Sequence, residues 1–228
     1  MIKLKDILFE QEVPDIFVPR RTEDRAVRYI KNYIRNGSKG KLNISYMSLK
    51  KLPDILNNME IDGDFVCEGN FIETLENFPK SVSGAINLSW NRLKSLEGLN
   101  IEVVNAGDYP GESFDCKGNH LTDLKGGPKV VKGNYNCSEN DLISLEGSPE
   151  KIEGDFYCSH NKLKSLVGGP IFVTKDFSAS YNHLESLEGL PKFIGGNLYL
   201  IAAMHVKFTV QQIRAISDIK GRIELAYD

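Results

Sequence analysis

The stretch DFYCSHNKLKSL, residues 155–166, decides how the chain is read. It sets Cys158 two positions before His160, and a thiolate beside an imidazole can bind a metal or begin nucleophilic chemistry. The flanking sequence gives a different answer. Residues 134–145 read NYNCSENDLISL, with Cys137 in the same place, and residues 176–187 read DFSASYNHLESL, with Ala179 there. The stretch is one copy of a repeat whose period is 21 residues. An internal period of this size signals a solenoid of stacked units.

Asparagine carries the register. Asn70, Asn91, Asn119, Asn140, Asn161 and Asn182 are spaced 21, 28, 21, 21 and 21 apart. Two residues after each comes Ile72, Leu93, Leu121, Leu142, Leu163 or Leu184, and three further on another leucine, from Leu75 to Leu187. Five and three residues before each asparagine stand two more apolar residues, such as Phe156 and Cys158. That alternation is the period of a half-buried strand. The wide spacing marks an insertion around NAGDYPG, residues 105–111, expected as a surface loop. Weaker copies begin at Lys41, with Met47 in the asparagine slot, and at Asn197, with Ala203 there, giving eight rungs.

These residues resemble the leucine-rich repeat, L-x-x-L-x-L-x-x-N-x-L, in its short bacterial form, which also occurs in large tailed phages. The resemblance covers about residues 40–206. It departs from the family in placing Cys or Phe at many leucine positions, and in ending copies with LEGSP, LVGGP or LEGLP. The implied fold is an α/β repeat: a solenoid of about eight rungs with a concave parallel β-sheet, a mostly non-helical convex side and helical caps at both ends. A phage or bacterial source goes with it, and the family does not say what is bound.

The resulting division is an N-terminal arm (1–19), a cap helix (20–38), the solenoid (39–206) and a C-terminal cap (207–228). In the cap helix Thr22 is the expected N-cap, Val27, Ile30 and Ile34 the apolar stripe, and Gly37 the stop. Thr209 and Gln212 stand at capping-box spacing for a short C-terminal helix.

Composition excludes several classes. Hydrophobic residues make up 41% and charged residues 26%, values of a soluble globular chain. A net charge of −3 gives no global attraction to nucleic acid or to anionic membranes. The longest apolar run, residues 198–204, is too short to cross a bilayer. The first ten residues alternate charge with apolar side chains and do not read as a signal peptide. All four cysteines, Cys67, Cys116, Cys137 and Cys158, share the inward slot, so they read as core thiols and place the chain in a reducing cytosol. No zinc spacing, catalytic triad or phosphate loop is present. Neither a metal nor a cofactor is expected, and no enzymatic activity.

The outward strand residues are the better functional signal. They include Asn87, Ser89, Asp115, Lys117, Asn136, Ser138, Asp155, Tyr157, Ser159, Asp176, Ser178, Ser180 and Tyr199. Just before the asparagine slot stand Tyr46, Trp90, His160 and Tyr181, a broken aromatic edge. Small polar residues with interspersed aromatics suit protein recognition. Arg21, Arg25, Arg28 and Arg35 line one side of the cap helix and form a possible anion-binding stripe. Nucleic acid is disfavoured as its target, and no membrane is expected.

The reading is therefore a non-enzymatic, cytoplasmic module that binds a protein partner of unknown identity through the concave face, as a phage or bacterial factor acting on a host protein. A structural or virion component using the rims and the arm is one alternative. The substrate-recognition domain of a bacterial effector ubiquitin ligase is another, disfavoured because every cysteine lies in a repeat. Oligomeric state is left open.

Overall fold

The computed structural model describes residues 22–107, 113–203 and 207–226. The expected N-terminal arm, Arg21 and the middle of the insertion lie outside those residues.

Among the described residues, nine short strands form one all-parallel sheet, one strand per rung and in chain order. Rungs 1 to 5 are Leu42–Asn43, Phe65–Val66, Ile86–Asn87, Phe114–Asp115 and Tyr135–Asn136. Rungs 6 to 9 are Phe156–Tyr157, Phe177–Ser178, Leu198–Ile201 and Ile223–Ala226. Eight of these are the sequence repeats, and the ninth comes from the C-terminal cap, pairing residue for residue with rung 8. This is the concave sheet. A second row of parallel strands backs it, in two pieces. Six run from Val103–Val104 to Asp218–Ile219, and two are Glu60–Ile61 and Ser81–Val82. The other side is thus short strands and turns, as the Gly-x-Pro endings require.

Between the rows lies one continuous core. Phe65, Phe114, Tyr135, Phe156 and Phe177 are wholly buried in the first inward slot. Phe114 meets Tyr135 edge to face at 4.9 Å, Tyr135 meets Phe156 likewise at 5.4 Å, and Phe156 stacks on Phe177 at 5.6 Å. The Tyr135 hydroxyl is buried beside the Cys116 thiol and makes no hydrogen bond of adequate geometry. An unmet buried hydroxyl costs about 1–3 kcal/mol. Tyr135→Phe should therefore raise the unfolding free energy by about 1 kcal/mol in urea titration, and a loss of stability would show that the hydroxyl has a partner.

The asparagines join the rungs. Asn161 accepts the Leu142 amide of the preceding rung at 3.0 Å and donates to the Cys137 and Cys158 carbonyls, each at 3.1 Å. Asn140 and Asn182 repeat the pattern. Six residues before these asparagines runs a second ladder. Asn134, Asp155, Asp176 and Asn197 each accept, through Oδ1, the backbone amide at the matching point of the next rung, at 2.7–2.9 Å.

The insertion is split. From the second residue of a backing strand to the first of the next concave strand is four positions elsewhere, as in Val131 to Tyr135, but ten from Val104 to Phe114. The seventh extra residue falls between Leu96 and Val104, where the backing row is also interrupted.

The first helix, α1 (Thr22–Arg35), covers rung 1. It ends in a Schellman turn: Gly37 has φ 87°, its amide reaches Ile34 O at 3.0 Å, and Ser38 reaches Tyr33 O at 3.1 Å. Its buried face is Ala26, Ile30 and Tyr33, not the expected Val27, Ile30 and Ile34. Two apolar stripes compete on this helix. The Tyr33 stripe goes inward because its hydroxyl donates to Gly40 O at 3.0 Å while its ring fills the core. At the other end, α2 (Val210–Ile216) has the full capping box, with Thr209 and Gln212 bonded reciprocally.

Candidate functional site

Outward residues of the concave sheet form two rows, four and two positions before each asparagine slot. The first runs Val66, Asn87, Asp115, Asn136, Tyr157, Ser178 and Tyr199; the second runs Glu68, Ser89, Lys117, Ser138, Ser159, Ser180 and Ile201. The rows differ along their length. In the first row Val66 and Asn87 are 2–3% exposed, whereas Asp115, Asn136, Tyr157, Ser178 and Tyr199 are half-buried; in the second, buried Ser89, Ser138 and Ser180 alternate with half-buried Glu68, Lys117, Ser159 and Ile201. Along the first row, the open part of the floor is therefore its C-terminal half.

Many of the small polar residues satisfy one another. Asn87 Oδ1 accepts both the amide and the hydroxyl of Ser89. Asn136 accepts the Ser138 amide at 3.0 Å. Ser159 and Ser178 hydroxyls lie 2.8 Å apart, and Ser180 Oγ accepts the Ile201 amide at 3.1 Å. Asn87, Ser89, Ser138 and Ser180 are thus buried rather than on an open contact surface. Period two gives a side chain's direction and says nothing of how closely its neighbours crowd it. Asp155 and Asp176 stand just before their strands, each with one carboxylate oxygen held by the second ladder.

The aromatic edge has a backbone cause. The position before every asparagine slot has φ between +47° and +67°, the left-handed region: Tyr46, Trp90, Glu139, His160, Tyr181 and Ala202 share it with Gly69 and Gly118. The side chain then lies across the next rung. Trp90 covers Gly118, where an added Cβ would sit 2.5 Å from its ring, and Tyr46 covers Gly69 in the same way. His160 instead stacks on Tyr181, 4.3 Å between centroids and 12° from parallel. Lys117 Nζ lies 5.4 Å over Trp90 and pairs with Glu139 at 3.1 Å. Trp90, His160 and Tyr181 are exposed and form one rim of the floor. An aromatic followed one rung later by glycine is a signal the sequence carried and periodicity alone did not use.

Asp115 is the most perturbed acid of the floor. Burial raises its pKa to about 6 from 3.8, against the Lys117 amide and charge, which lower it, and with Glu68 adding repulsion. Its Oδ1 accepts that amide at 2.9 Å. A carboxyl with a raised folded-state pKa costs stability when ionised, so this contribution worsens as pH rises from about 4 through 6. Asp115→Asn keeps the geometry that Asn87 and Asn136 show. Its expected gain is on the order of 1–2 kcal/mol at pH 8, fading below pH ~4; a gain that does not change with pH would contradict this.

The four cysteines are buried free thiols. Desolvation pushes Cys67 up to about 12 and raises Cys158 further. His160 is exposed on the rim while Cys158 is wholly buried, so the pair of the opening stretch does no joint chemistry. A thiol reagent should label the native protein slowly and the unfolded protein fast; rapid native labelling would place a thiol at the surface. Among the described residues no cluster of three or more His, Cys, Asp or Glu could hold a metal ion. No described helix is long and apolar enough to cross a membrane. Arg25, Arg28 and Arg35 are exposed on α1.

No protein-family model matches the sequence, and no curated protein matches it. Among solved structures the chain is similar to one described as the structure of a Shigella effector LRR domain. The TM-score is 0.65, at 18% identity over 92% of each chain. The chain has the leucine-rich-repeat fold. At this identity the similarity carries the fold alone. The leucine-rich repeat nevertheless fixes which sheet is concave, and so which rows of side chains face a common space.

Proposed function

We propose that the protein is a non-enzymatic interaction module that holds a protein partner on the C-terminal half of its concave sheet. The observation that carries this is the half-buried row Asn136, Tyr157, Ser178 and Tyr199, displayed at strand spacing on consecutive rungs beside the exposed rim of His160 and Tyr181. Rungs locked by two hydrogen-bond ladders present these groups with little left to order, which lowers the cost of binding. Tyrosines flanked by small polar side chains supply contact area at low entropic cost. The four buried thiols suit a reducing cytosol, bacterial or host, as the place of action. The effector domain of similar fold is consistent with such a role without naming a partner.

The test uses a photo-crosslinking amino acid in place of Ser178 on the floor, or of Ile143, which is 66% exposed away from it. The reading requires that the same partner be trapped in lysate from the Ser178 position and not from Ile143. Trapping from Ile143 alone would put the contact on another surface.

A further inference from the structure

The residue numbers of α1 that turn inward decide what it leaves outside. With Ala26, Ile30 and Tyr33 buried, a turn of about 100° per residue sets Arg28, Asn32 and Arg35 at the solvent pole, with Arg25 and Lys31 beside them. All five are exposed. None of the four cations has an ion pair or hydrogen-bond partner to the described residues, whereas lysines of the solenoid pair across rungs, as in Lys80–Glu60, Lys125–Glu146 and Lys164–Glu185. Residues 20–41 carry eight Lys or Arg against two acids; the remaining residues carry 20 against 29, a net of −9.

The same rotation strands apolar surface. Ile34 is 41% exposed, and Val27, seven residues earlier on the same flank, is only half-buried. Lys31 lies between them, four residues from one and three from the other, so all three share a strip of the helix. Arg28 and Arg35 border that strip on its solvent side.

We propose that this strip is a second docking surface, for a protein segment that interleaves acidic and apolar side chains. Apolar residues of the segment cover Val27 and Ile34, and its carboxylates meet Lys31 and the guanidinium forks of Arg28 and Arg35, which match carboxylate geometry. Other occupants use less of the strip. A duplex offers phosphates and nothing to cover Ile34. A flat anionic membrane meeting the pole would stand roughly 110° around the helix from Ile34. A second copy of α1 would bring like charges together. This surface is independent of the concave sheet, so either reading can fail alone.

A fluorescein-labelled peptide of Asp-Leu-Glu repeats, its Asn-Leu-Gln counterpart, a duplex DNA and phosphatidylserine vesicles are titrated against the full chain at low salt. The acidic peptide should bind, and the amide counterpart about tenfold more weakly or worse. Arg28→Gln with Arg35→Gln should cost about tenfold, and Ile34→Ser at least about threefold. Lys175→Gln, one charge removed from an exposed site on the solenoid, should change binding by less than about twofold. Circular dichroism checks that α1 persists, which Ile34→Ser should allow because the side chain lies outside the core. Failure of the acidic peptide to bind overturns the proposal. So does indifference to Ile34→Ser, an equal response to Lys175→Gln, or tighter binding of the duplex or the vesicles, which would make the strip a phosphate-binding surface.

Discussion

Asn161→Ala is expected to lower the unfolding free energy by about 3 kcal/mol or more. The side chain closes four bonds at once, accepting the Leu142 amide and donating to the Cys137, Cys158 and Ser159 carbonyls, and it is 5% exposed. Truncation leaves the Leu142 amide buried without a partner, at about 1–3 kcal/mol, and takes one donor from each of the Cys137 and Cys158 carbonyls, which keep Asn140 and Asn182, at about 0.5–1.5 kcal/mol each. The loss spans two rungs because the amide belongs to rung 5 and a carbonyl to each of rungs 5 and 6. Urea titration followed by circular dichroism measures it. A loss under about 1 kcal/mol would mean that water replaces the amide and that the ladder is not what couples neighbouring rungs.

Phe156→Ala should cost a similar or larger amount, about 3–5 kcal/mol, the usual range for removing a buried phenylalanine. Here the reason is position in a stack. The ring has Tyr135 on one side and Phe177 on the other, at 5.4 and 5.6 Å, and is wholly buried. The neighbouring rungs cannot close over the gap, because their spacing is held by the strand pairing and by the glycines at the turn. A Cβ on Gly221, for example, would sit 2.5 Å from the Gly196 carbonyl oxygen. The cavity therefore persists rather than collapsing, and the cost should fall at the upper end of the range. Asn161 and Phe156 belong to one rung, so the double variant should lose less than the sum of the singles. Additive losses would show that the asparagine ladder and the aromatic stack stabilise the solenoid independently.

Much of this architecture was legible in the sequence because stacking repeats one physical problem. Asn161, Leu163 and Leu166 recur at fixed offsets since each rung must satisfy the same bend and fill the same layer. Thr209 and Gln212 announced the second helix by a local rule. What was missed depends on comparison between rungs. The backing strand is an apolar residue twelve positions after the asparagine, as Val131, Ile152, Val173 and Ile194 are after Asn119, Asn140, Asn161 and Asn182. Asp155 and Asp176 read as outward groups until their register with Asn134 and Asn197 is noticed. The face of α1 could not be read, because Ala26–Tyr33 and Val27–Ile34 are both apolar stripes at helical spacing, and the choice rests on where the Tyr33 hydroxyl finds an acceptor. Of the site, the direction of Tyr157, Ser159 and Tyr199 follows from period two, while the burial of Asn87, Ser89, Ser138 and Ser180 follows from crowding that only the assembled sheet shows.

The central claim is that the concave floor is the contact surface, and one affinity comparison tests it most directly. The partner trapped by crosslinking is titrated against wild type, Tyr157→Arg and Ile143→Arg. Each variant adds one arginine, and only the first does so on the floor. A long charged side chain at the centre of a sheltered contact removes packing and leaves a charge to be desolvated, a loss on the scale of about 2 kcal/mol or more. The account predicts at least a thirtyfold rise in Kd for Tyr157→Arg, about 2 kcal/mol, with an unchanged melting temperature and no response to Ile143→Arg. Unaltered affinity in Tyr157→Arg, or an equal loss in both variants, would contradict it.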